Sequence, residues 1–172
     1  MIKIVTTILF LTLGLLVLNG SQVQESSKPM SRATALRTLK GCATRPITLE
    51  CSEDTAGYLI KLYEDGDRPL LKPLLEAGLT SDGALAEILG DFYANVLWKN
   101  PREFLEALKL RSKKERQSLC RLAATTDGSG MGGDMLSDVR RNVDHIGSEH
   151  GRLAPVARIC VREVNKANAT NQ

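Results

Sequence analysis

The sequence predicts an all-α domain, an irregular bundle or a short stack of antiparallel helix pairs, behind an N-terminal signal peptide. Apolar residues recur at three- and four-residue steps in one segment after another, and no segment alternates apolar with polar as a half-buried strand does. The turns between those segments are short, which predicts antiparallel neighbours within a single domain over residues 32–167. No fixed repeat period links them, so a repeat array is not expected.

Met1-Ile2-Lys3 is a short basic start, Ile4 to Leu18 an apolar run, and Asn19-Gly20-Ser21 a small, polar end. That layout predicts a signal peptide over 1–21. The run is short for a spanning helix and no second one follows, so no membrane span is expected after cleavage. Residues 22–31 are a polar, flexible lead-in. Ala33 to Gly41 predicts a short helix. Cys42 to Cys51 holds Pro46 and reads as a loop. Glu53 and Asp54 suit the first turn of the next helix, which faces inward with Ala56, Leu59, Ile60 and Tyr63. Leu70, Leu71, Leu74 and Leu75 form the apolar face of another, stopped at Gly78.

The central stretch, Asp82 to Leu110, predicts a helical hairpin and the heart of the core. Leu85, Ile88, Leu89, Phe92 and Val96 line one face, and Phe104, Leu105 and Leu108 face back onto it. Four of the seven aromatic residues (Phe92, Tyr93, Trp98 and Phe104) sit here. At the corner, Asn100 with Glu103 spells a capping box around Pro101. Ser112 with Glu115 spells a second one, opening a helix with Leu119, Leu122 and Ala123 inward. Asp127 to Gly133 is a glycine-rich loop. The helix after it buries Met135, Leu136, Val139, Val143 and Ile146 and stops at Gly147. The last helix turns Leu153, Val156, Ala157, Cys160, Val161 and Val164 inward, and residues 168–172 are a polar tail.

Chemistry is sparse. Four cysteines, Cys42, Cys51, Cys120 and Cys160, in a chain with a signal peptide point to disulfides. Cys42 with Cys51 and Cys120 with Cys160 is the favoured pairing among three. The glycine-rich loop is neither a P-loop nor a good calcium loop, since Met131 stands where an oxygen ligand is needed. As a contact loop it would present Asp127, Ser129, Met131 and Asp134. Asp144 to His150 gathers His145, Glu149 and His150, the one set with metal-ligand character. The histidines are five apart with Gly147 between, unlike the four-residue spacing of a helical zinc pair. No cofactor is expected.

Charge is uneven along the chain. Residues 50–91 hold ten acidic and three basic side chains, whereas 92–121 hold eight basic and three acidic. Lys109, Lys113, Lys114 and Arg116 form a candidate basic contact face. It lacks interleaved aromatics, so nucleic acid is not the expected partner. These features point to a secreted or periplasmic binding module that contacts a protein or envelope partner. Two other readings are a small metal-dependent or hydrolytic enzyme using Asp144–His150, and a structural envelope component.

Overall fold

The computed structural model describes residues 30–42, 53–125 and 133–170, the side chains of Cys42, Gly133, Asp134, Asn168 and Thr170 excepted. The expected signal peptide, most of the lead-in, Cys51 and the glycine-rich loop as far as Gly132 lie outside the described residues. Those described are all-helical. The helices are α1 (Arg32–Cys42), α2 (Glu53–Glu64), α3 (Leu71–Gly78), α4 (Gly83–Lys99), α5 (Pro101–Leu108), α6 (Lys113–Ala124), α7 (Gly133–Glu149) and α8 (Ala154–Thr170). Single 3-10 turns at Arg68–Leu70 and Gly151–Leu153 lead into α3 and α8. No described helix is long and apolar enough to cross a membrane.

Helix α4 is the hub. It packs on α2 and α3 on one side and on α5, α6 and α7 on the other. Helix α1 closes the first half against α2 and α3, and α8 closes the second against α6 and α7. The face of α4 that fits the helical period is buried: Leu89, Phe92, Tyr93, Val96 and Leu97, with Phe104, Leu105 and Leu108 of α5 opposite. Trp98 departs from the expected core. It lies one position past Leu97, on the outward side, 39 % exposed, with the Lys99 ammonium 5.8 Å from its ring centre.

Two local expectations fail, both through contacts from distant segments. Asn100 makes no side-chain cap for α5. Its partner in the expected box, Glu103, is instead engaged by Arg68 at 3.4 Å, from the 3-10 turn before α3. Gly147 does not end α7, which runs on to Glu149. A Cβ at Gly147 would stand 2.8 Å from Cβ of Ala157, so the glycine lets α7 and α8 approach closely. That packing offsets the propensity cost of about 1 kcal/mol for a glycine inside a helix.

Candidate functional site

Helix α6 starts where its sequence says it should. The Glu115 N–H donates to Ser112 Oγ at 3.2 Å, and the Ser112 N–H donates to Glu115 Oε2 at 2.7 Å. This fixes the register of α6, turning Leu119, Cys120 and Ala123 into the core. A disulfide then joins Cys120 to Cys160 on α8. Arg121 follows Cys120 and Glu163 lies one turn beyond Cys160, so the bridge brings these two side chains together on the outer seam of α6 and α8.

At that seam one carboxylate meets three cations. The Glu163 side chain is 1 % exposed. It accepts from Gln117 Nε2 at 3.1 Å and lies 3.4 Å from Arg121 Nε, 3.5 Å from Arg162 Nε and 3.2 Å from Lys166 Nζ. The three cationic side chains stay about half exposed, so Glu163 is hidden beneath its own counter-charges. Burial pushes its carboxyl up. Hydrogen bonds and charge from Lys166 and Arg121 outweigh that and hold it below its ordinary value.

A carboxyl held low in the fold contributes stability that is present above its unfolded value, near 4.5, and is lost as pH falls through the folded value. Glu163→Gln is therefore expected to lower stability by about 2 kcal/mol at neutral pH, the range for hydrogen bonds to charged groups. The difference from wild type should shrink as pH falls below about 4.5, read by urea denaturation at a series of pH values. A constant difference down to acid pH would show that the charge is not what the seam uses.

Arg121, Arg162 and Lys166 share one acid, so cations outnumber Glu163 on this face. Further exposed cations extend it. Lys114 lies one helical turn before Gln117 on α6, and Arg158 lies one turn before Arg162 on α8. Neither makes an ion pair among the described residues. The other arginine ion pairs among the described residues each join one cation to one carboxylate: Arg32 with Asp67, Arg68 with Glu103, Arg111 with Glu76, Arg141 with Asp138 and Arg152 with Glu106.

The basic face expected from sequence is only partly this one. Lys113 and Lys114 are exposed and Lys109 is half-buried. Arg116 turns inward, donating to the carbonyls of Leu108 and Lys109 at 3.2 and 2.6 Å and so capping the end of α5. Sequence reading missed Arg121, Arg162 and Lys166, although the α8 cations sit at four-residue steps next to a cysteine.

The remaining candidates do not converge. His145 Nε2 lies 3.3 Å from Glu149 Oε1 on the outer side of α7, both more than half exposed. His150 lies past the end of that helix, at the start of the 3-10 turn. No group of three or more histidine, cysteine or acidic side chains among the described residues stands in metal-holding geometry. Asp127, Ser129 and Met131 lie outside the described residues, and Asp134 falls in the first turn of α7. The Cys42–Cys51 pairing also lies outside them. No protein family, curated protein or solved structure matches this chain.

Proposed function

We propose that this chain is an exported binding protein that docks an acidic protein partner on the basic face of α6 and α8. The observation that carries the reading is the convergence of Arg121, Arg162 and Lys166 on the single carboxylate of Glu163, with the exposed Lys114 and Arg158 beside them, on a seam that a disulfide cross-links. Patches of unbalanced charge steer and orient charged partners. A bilayer would ask for an apolar wedge beside the cations, and bases would ask for stacking platforms. Residues 105–172 contain no Phe, Tyr or Trp, which favours an acidic protein over either. Export is supported by the apolar run at 4–18 and by the Cys120–Cys160 bridge, which suits an oxidising compartment.

The test uses the double variant Lys114→Glu/Arg158→Glu, which leaves the Glu163 cluster intact. Its control, Lys61→Glu/Lys72→Glu, makes the same charge change on exposed positions of α2 and α3. Probes are a poly-glutamate peptide, anionic phosphatidylglycerol vesicles and duplex DNA at matched salt. Poly-glutamate is expected to bind in a salt-dependent manner, the α6–α8 variant to weaken it about tenfold, and the control far less. Equal loss in both variants would reduce the effect to net charge. Stronger binding to vesicles or DNA would overturn the choice of partner.

A further inference from the structure

Independently of the basic face, a cleft of about 380 Å³ opens between α2 and α4. One wall is Tyr63, only 2 % exposed, packed edge-on against Phe92 with ring centres 5.1 Å apart. The Arg68 guanidinium lies over the Tyr63 ring, 4.7 Å from its centre. The Tyr63 hydroxyl is fully buried and has no hydrogen-bond partner, the one such side-chain atom among the described residues. Arg68 and Glu103 both lie close enough to act on it, but neither meets it in hydrogen-bond geometry. Leaving a buried hydroxyl unpaired costs stability, so an orphan of this kind calls for an explanation. Burial, the largest influence on it, pushes the phenol up to about 12, so it stays protonated and stands as a donor.

Arg68 and Lys99 give the cleft two cations against the one carboxylate of Glu64, and the amides of Asn95 and Asn100 can donate or accept. Arg68 is held by its 3.4 Å pair with Glu103 and by the face of the Tyr63 ring. None of these acceptors pairs with the Tyr63 hydroxyl. Phe92 and Val96 add an apolar floor beside the donors. We propose that this cleft binds a small organic carboxylate, one oxygen accepting from the Tyr63 hydroxyl and the other from the Arg68 guanidinium. A monoanion fits better than a phosphate dianion, because Glu64 on the rim and Glu103 behind Arg68 already offset part of the positive charge. Arg68 is half exposed, so its side chain can swing from the ring to admit the ligand.

The test titrates the full chain with acetate, propionate and N-acetylalanine, and with the matching amides, following the Tyr63 ring signals by NMR. Saturable shifts with the acids and at least tenfold weaker binding of the amides are expected. Tyr63→Phe should weaken binding by about 10- to 100-fold, the loss of a hydrogen bond to a charged group. It should leave the chain as stable as wild type or more so, because it removes an unpaired buried hydroxyl. Arg68→Gln should weaken binding as well. Three results would overturn the site: no saturable binding at millimolar acid, undiminished binding by Tyr63→Phe, or a Tyr63→Phe chain clearly less stable than wild type, which would place the hydroxyl's partner within the fold. Tighter binding of inorganic phosphate would overturn the choice of ligand.

Discussion

Replacing Cys120 and Cys160 together by alanine is expected to lower stability by about 4 kcal/mol, the chain-entropy value for a bridge closing a loop of this length. The two cysteines are 40 positions apart, and the loop between them carries all of α7. Unfolded, the bridged chain cannot explore the conformations that the open chain can, and this restriction is what the bridge contributes. Alanine replacement is preferable to a reductant. Both cysteines are fully buried, and the replacement alters these two positions alone. Urea denaturation of the double variant measures the change. A loss below about 1 kcal/mol would mean that side-chain packing alone holds α6 on α8. The bridge also sets the register of Arg121 against Glu163, so the variant should bind poly-glutamate less tightly even at urea concentrations where it remains folded.

Local signals were legible where nothing distant competes with them. The Ser112–Glu115 box starts α6 as its spelling implies, because no other segment claims the Glu115 carboxylate. The equally spaced Asn100–Glu103 box fails because Arg68, 35 positions away in sequence, takes Glu103. Gly147 has the propensity of a helix stop and the position of a helix crossing, and the crossing prevails because Ala157 needs the space. The same divide runs through the site. Arg121 and Glu163 are ordinary charged helix positions 42 residues apart, and it is the packing and the Cys120–Cys160 bond between α6 and α8 that turn two helical rows into one face. The inward direction of Tyr63 follows from the helical period. That its hydroxyl ends without a partner depends on how Arg68 and Glu103 are spent on each other, and no periodicity encodes that.

Gly78→Ala is the second large effect, and its sign runs against propensity. Gly78 ends α3 without a left-handed backbone, and alanine favours a helix over glycine by about 1 kcal/mol, so a local reading predicts a gain. Its environment predicts the reverse. A Cβ at position 78 would stand 2.3 Å from the Tyr93 oxygen, 2.7 Å from Cε2 and 2.9 Å from Cζ. Tyr93 cannot step aside. It is fully buried, its ring packs between Phe92 and Phe104, and its hydroxyl donates to the Leu74 carbonyl at 2.5 Å. Overpacking of this kind costs about 3 kcal/mol, so a net loss of about 2 kcal/mol or more is expected by thermal or urea denaturation. Tyr93→Phe removes the closest atom but keeps the two ring carbons, and should recover only part of the loss. Tyr93→Leu removes the ring, and a double-mutant cycle with Gly78→Ala should show coupling of at least 1 kcal/mol. A Gly78→Ala chain as stable as wild type would mean that the ring is not pinned. If it is pinned, the cost reaches the cleft as well, because the helix that carries Tyr93 also carries Asn95, Val96 and Lys99. A shift of α4 that relieves position 78 moves those groups away from Tyr63, so carboxylate binding should weaken in Gly78→Ala and return with Tyr93→Leu.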